Sequence, residues 1–186
     1  LIRHEDRLFA QTKEEIRVTE EFAEGLWSVD VDQGQMKQML MNLYVNAWQA
    51  MPGGGELSVR TENVVLTEEH GEVPEGASGR YVKLSISDTG VGMDSATQKR
   101  IFDPLFTTRA REARTGLDLA SVYGIVRNHG GFIQVSSEKG KGSTFTIHLP
   151  ASQKQVAEER PPSKDIVRGE GTILLVRSEE HTSELQ

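Results

Sequence analysis

The chain has no cysteine in 186 residues, only six prolines, and aromatic residues at 6% of the total. The missing thiols exclude disulfide scaffolding and thiol chemistry and fit a reducing compartment. An excess of basic residues is missing as well: 21 Lys and Arg stand against 28 Asp and Glu, giving a net charge of -7 and a pI near 5.3. Neither a phosphate backbone nor an anionic lipid surface attracts such a chain at long range, so no nucleic-acid partner and no membrane contact by this domain are expected. No hydrophobic run approaches membrane-spanning length, and the opening LIRHEDRLFA carries no signal-peptide pattern. The expectation is a cytoplasmic location, with a membrane anchor elsewhere in a parent protein left open. What is present is 36% hydrophobic residues, enough for the core of one ordinary domain with tails.

The most informative stretch is 35–51, QMKQMLMNLYVNAWQAM. Met36, Met39, Leu40, Leu43, Ala47 and Ala50 recur at the spacing of one helical face, while Met41, Tyr44, Val45 and Trp48 cover a second. Gln35, Gln38, Asn42, Asn46 and Gln49 remain as a single amide stripe. A helix apolar on most of its surface is buried, and a solvent-facing stripe normally carries charge, whereas Lys37 is the only charge in this stretch. The stripe is therefore expected to be buried, either as the wall of a site or against neighbouring backbone. Asp32 as N-cap with Gln35 three residues on gives a variant of the capping box, and Pro52 followed by Gly53, Gly54 and Gly55 ends the helix.

Either side of this helix, weak alternation over 16–22 and 26–31 predicts two short strands, and Leu57, Val59 and Thr61 mark a half-buried strand. Residues 68–80 form a polar surface loop and 81–88 the next strand. A short helix over 95–101 leads into 102–114, which has no periodicity and reads as mobile. Leu119, Val122, Tyr123 and Val126 give a helix closed by His129, Gly130 and Gly131, and strands over 132–137 and 143–149 follow, joined by a glycine turn. His148 is expected to point outward on an edge strand. The pattern implies an α+β fold: a two-layer sandwich with one mixed sheet and helices packed on one face.

Two segments bear on chemistry. Val82, Leu84, Ile86 and Asp88 share one strand face, so a carboxylate ends a core row and needs a donor, and Gly90 and Gly92 of DTGVGM let the backbone turn tightly. A strand-ending turn explains the same residues. Farther on, PLFTTR offers hydroxyls and a cation before a helix whose N-terminus suits an anion, or an ordinary exposed loop. The order of the segments is more specific than any one of them: an amide helix, DTGVGM after a strand, IFDPLFTTR, TGLDLA opening a helix, then HGG and a glycine hairpin. Over about residues 12–150 the chain closely resembles the catalytic, ATP-binding domain of sensor histidine kinases, in the superfamily shared with gyrase, the Hsp90 chaperones and MutL.

That resemblance implies an ATP site between the amide helix and a flexible lid over about 102–115. Asn46 matches the asparagine that ligates Mg2+ bridging the phosphates. Asn42 sits where ATP-hydrolysing relatives carry a glutamate base, so Asn42 and Asn46 are the expected catalytic pair, with γ-phosphate kept for a histidine acceptor. Asp88 matches the acceptor for the adenine amine. Ala50, Gly90, Gly92, Met93 and Thr144 are the implied surroundings of the base, and Phe102 and Phe106 the lid aromatics. Thr107, Thr108, Arg109, Thr115, Gly116 and Leu117 are the implied contacts near the phosphates. Where the family has a glycine-rich lid end, this chain has Arg114 and Asp118, which predicts weakened nucleotide binding. The alternative is a degenerate nucleotide-binding module with little or no turnover.

The implied partners are a histidine-bearing dimerisation domain and a response-regulator receiver domain. None of His4, His70, His129, His148 or His181 sits in an acceptor-like helix, so the chain is expected to be a fragment that needs a separate acceptor. Residues 1–150 form the expected catalytic domain, 151–171 a charged linker. Residues 172–186 begin with TILLV, similar to the first strand of a receiver domain, and end in a tail resembling translated adapter sequence, to which no function is assigned.

Overall fold

The computed structural model describes residues 1–12, 15–67, 77–104, 106 and 119–152. Among the described residues nine elements follow one another: α1 (Ile2–Thr12), β1 (Ile16–Phe22), α2 (Gln33–Ala50), β2 (Gly55–Leu66), β3 (Gly79–Asp88), α3 (Ser95–Gln98), α4 (Leu119–Asn128), β4 (Phe132–Glu138) and β5 (Gly142–Pro150). The strands form one sheet in the order β1-β2-β3-β5-β4, parallel between β1 and β2 and antiparallel elsewhere. The mixed α+β sandwich read from the sequence is thus present.

Helix α2 organises the core. Met39, Leu40, Leu43 and Tyr44 have at most 1% of their surface exposed, and they pack in one cluster with Leu57 and Val59 of β2, Leu84 and Ile86 of β3, Ile147 of β5 and Val122 and Val126 of α4. Asp32 caps the helix as expected, its carboxylate accepting the Gln35 N–H at 2.7 Å. The Asp32 N–H is instead bound by His129, whose Nε2 accepts it at 3.0 Å while Nδ1 lies 2.7 Å from the Ile125 carbonyl. One imidazole therefore joins the start of α2 to the end of α4. The amide stripe is not uniform: Gln35 and Gln38 are exposed, Asn42 is buried, and Asn46 and Gln49 are half-buried.

Three expectations need correcting. Residues 2–12 are a helix, which the sequence reading missed. Its inward positions are Ile2, Glu5, Asp6 and Phe9, helically spaced but with acids in the middle, so no apolar periodicity shows. Residues 26–31 form no strand; a lone bridge pairs Val29 with Ala151, and the segment is held by side chains, with Asn63 Oδ1 accepting the Trp27 N–H and the Arg80 guanidinium 3.9 Å over the Trp27 ring. His148 does face away from the helices, but β5 is interior to the sheet and His148 is buried, stacked on Phe132 with centroids 4.4 Å apart. The edge strand on that side of the sheet is β4, with β1 at the other edge.

Two buried ionisable groups pull stability in opposite directions. Burial raises Asp6 from an ordinary 3.8 to about 6; the Tyr44 hydroxyl that donates to it opposes the shift, and Glu20 and Glu5 add to it. The folded state then holds a proton the unfolded chain lacks, so this stability is present at low pH and lost as pH rises through that window. Burial, then Lys83, lowers His148 from 6.5 to about 4, with Glu62 opposing, so its stability is lost as pH falls. The two slopes oppose each other. Asp6→Asn keeps an acceptor for Tyr44 and removes a carboxylate from beside Glu20 and Glu5. Urea melts should show it more stable than the parent near neutral pH, by on the order of 2 kcal/mol, with the acid sensitivity of His148 unmasked. A variant less stable than the parent at neutral pH, with an unchanged pH slope, would contradict this.

Candidate functional site

The turn after β3 lies directly on the C-terminal end of α2. The Val91 N–H donates to the Ala50 carbonyl at 2.9 Å, and a Cβ on Gly90 would stand 2.5 Å from that same oxygen, so only glycine permits the approach. Gly92, at φ 62, meets the Glu138 carbonyl in the same way. The glycines thus serve close packing within the fold, against α2 on one side and the β4–β5 hairpin on the other. Ser137 completes the hairpin contact by accepting the Met93 N–H at 2.8 Å, and Gln98 donates to the Ser137 carbonyl at 2.8 Å.

Asp88 ends the buried row of β3, as its alternation implies. Its Oδ1 accepts the Gly90 N–H at 2.8 Å, and the backbone of Ser143 is a second donor. Burial raises its pKa, opposed by those two bonds. The carboxylate is held by backbone at the end of a core row, an acceptor for one further donor. Thr144 is not beside it. Register pairs Asp88 with Ser143 and Ser87 with Thr144, and the Thr144 hydroxyl lies 2.9 Å from Ser87 Oγ on the opposite face of the sheet. The residue on the Asp88 face is Ser143, which the sequence reading missed by one position.

Asn42 and Asn46 occupy successive turns of α2. The Asn46 Nδ2 donates to the Asn42 main-chain carbonyl at 2.8 Å, which fixes the amide and leaves Oδ1 as its acceptor end. Asn42 is fully buried, and its Nδ2 donates to Ser121 Oγ, in the first turn of α4, at 2.8 Å. Among the described residues its Oδ1 has no partner. One neutral hydrogen bond contributes about 1 kcal/mol, whereas an orphaned buried acceptor costs about 1–3 kcal/mol, so the amide brings no net stability over an apolar side chain of similar size. Nothing in the sequence singled out Ser121.

Phe102 packs against Tyr123 of α4, centroids 5.6 Å apart, and the Arg100 guanidinium sits 4.5 Å over the Phe106 ring. The remaining sequence-predicted contacts, Thr107, Thr108, Arg109, Thr115, Gly116 and Leu117, lie outside the described residues, as do Arg114 and Asp118. Among the described residues no group of three or more His, Asp or Glu could hold a cation. Asn46 Oδ1 is a hard oxygen donor of the kind Mg2+ takes, and an ion held there would complete its shell with ligand oxygens and water. A 310 Å³ cavity lined by Asp30, Val31, His129, Leu149, Pro150, Ala151 and Ser152 borders the opposite ends of α2 and α4.

Residues 31–153 match the family described as histidine kinase-, DNA gyrase B- and HSP90-like ATPases. The chain is 39% identical over 168 residues to the sensor kinase CckA of Brucella abortus, across 83% of this chain and 18% of that protein. To the sensor histidine kinase ZraS of Escherichia coli it is 39% identical over 154 residues, across 82% and 30%. The chain thus spans less than a third of these relatives. Among solved structures, the nucleotide-free catalytic domain of histidine kinase ThkA superposes with a TM-score of 0.64 at 26% identity, covering 81% of this chain and 90% of that one. ThkA has also been solved in complex with the response regulator TrrA, matching at a TM-score of 0.61 and 25% identity over 81% of this chain and 39% of that one. The chain belongs to the histidine kinase-, DNA gyrase B- and HSP90-like ATPase family, and the relatives it matches are sensor histidine kinases.

Proposed function

We propose that the domain binds Mg-ATP and donates its γ-phosphate to a histidine on a separate dimerisation domain, in two-component signalling. The observation that carries this reading is the orientation of Asn46, whose amide nitrogen is tied to Asn42 so that Oδ1 is left for a cation. The Gly90–Ala50 contact brings Asp88 to the same end of α2, where it would accept the adenine amine, with Ser143 beside it. Bound Mg2+ would neutralise phosphate charge and orient the triphosphate. Helix α2 contains no Asp or Glu, so it offers no base to activate water, which favours transfer to a histidine over hydrolysis. A receiver domain is the proposed later acceptor, supported by the ThkA–TrrA complex.

A second reading, a degenerate nucleotide-binding module, is favoured by Arg114 and by Asp118, which immediately precedes the first residue of α4. A carboxylate near a triphosphate at about 4 Å costs roughly 1 kcal/mol in water and about 4 at intermediate dielectric, enough to weaken binding tenfold or more. Calorimetric titration should therefore show Asp118→Gly binding Mg-ATP at least about tenfold more tightly than the parent; equal affinities contradict the repulsion. Asn46→Ala should lose the gain in affinity that Mg2+ provides while keeping binding to metal-free nucleotide, and an undiminished magnesium effect contradicts the assignment. Incubation with a cognate acceptor domain and γ-labelled ATP separates the two readings: labelled histidine supports the donor, and nucleotide bound without transfer supports the degenerate module.

A further inference from the structure

We propose that α1 is a proton-operated latch: with the Asp6 carboxyl protonated the helix lies docked on α2 and β1, and with it ionised the helix comes away while the rest of the fold stays intact. The docking face is acidic where a core face is normally apolar. Glu5, Asp6 and Phe9 are buried, with Asp6 only 1% exposed. Around Asp6 stand Glu5 on α1 itself, Tyr44 on α2 and Glu20 on β1. The Tyr44 hydroxyl, fully buried, donates to Asp6 Oδ1, and among the described residues Asp6 Oδ2 has no partner. The cation at this interface is the half-exposed Lys37 of α2, and it reaches Glu5, at 3.7 Å. Among the described residues no cation pairs with Asp6. Ionisation therefore adds a third carboxylate charge beside Glu5 and Glu20 without a counter-ion, whereas protonation removes that charge and leaves the Tyr44 bond in place.

The rest of the grip on α1 is slight. Among the described side chains its apolar anchors are Phe9, whose ring centroid lies 5.4 Å from that of Tyr44, and the half-buried Ile2, with Arg3 lying 5.2 Å over the Phe22 ring. A helix of 11 residues is marginal in water by itself, so α1 loses its helical protection once it leaves this surface. Burial, opposed by Tyr44 and assisted by Glu20 and Glu5, places the docked Asp6 at about 6 against an ordinary 3.8. The docked helix thus keeps a proton that the free segment releases, and docking weakens as pH rises through that window. Those two values give a roughly tenfold rise in the undocked fraction between about pH 5 and about pH 7.5.

Amide hydrogen exchange of the full chain, corrected for intrinsic rates, reads the latch without reference to nucleotide. Between about pH 5 and about pH 7.5 the protection of α1 should fall roughly tenfold, while β3 and β5 lose none, because neutral His148 strengthens the whole fold over the same range. In Asp6→Asn, which keeps an acceptor for Tyr44, α1 protection should stay level with pH. Glu20→Gln removes a neighbouring charge at an exposed position, and it should make the fall smaller. A parent-like fall in Asp6→Asn overturns the proposal. So does α1 protection that stays level in the parent, or that falls only together with β3 and β5, since the helix then leaves only by global unfolding. Should Asp6→Asn fail to fold, Glu20→Gln decides, and an undiminished fall there contradicts the latch.

Discussion

The structure depends on the burial of α2 against four other elements at once. Its apolar faces fill the core beneath β2 and β3, and each remaining side is fixed by a specific polar or close contact. Tyr44 donates to Asp6 of α1, Asn42 donates to Ser121 of α4, and Ala50 accepts from Val91 after β3. Helix α2 cannot rotate without breaking all three. That constraint is why Asn46, only half-buried, has a defined direction: the turn below it is locked from every side, and its own amide is bonded to that turn.

Polar burial in this domain is of two kinds. His129 and Asp88 are satisfied by backbone groups, and they join elements distant in sequence: the start of α2 to the end of α4, and β3 to its turn and β5. Among the described residues, Asp6, Asn42, Thr61 and His148 each leave an atom without a partner. Unpaired buried groups are expensive, and a domain with a typical margin of about 5–15 kcal/mol carries few of them. Asn42 lies at the site. Asp6 fastens the first helix, and His148 sits in a ring cluster with Phe132 and Tyr81 on the far face of the sheet.

What could be read from the sequence was local. Helix α2, its Asp32 cap and the strand ending at Asp88 announce themselves through periodicity within one element. Helix α1 did not, because acids occupy two of its inward positions. The strand order was invisible, since nothing local shows that β5 inserts between β3 and β4, and with it went the surroundings of His148. The slip from Ser143 to Thr144 has the same origin. Side chains alternate faces along a strand, so a one-residue error reverses the face, and only pairing with Asp88 settles which residue is beside it. Gly90 and Gly92 were read correctly as sites of close approach, but their neighbours, Ala50 and Glu138, are parts of the fold and could be named only from it.

In the proposed binding mode the base would lie at Asp88 and the phosphates at Asn46. It is tested most directly by comparing ATP with inosine triphosphate, which carries a 6-oxo group in place of the 6-amino group. If the ionised Asp88 accepts from the base, the parent chain should prefer ATP by on the order of a hundredfold or more, because the oxo group sets two acceptors face to face. In Asp88→Asn, whose amide can donate, the preference should vanish or reverse. Equal affinity of the parent for both nucleotides, or an unchanged preference in Asp88→Asn, would contradict the account.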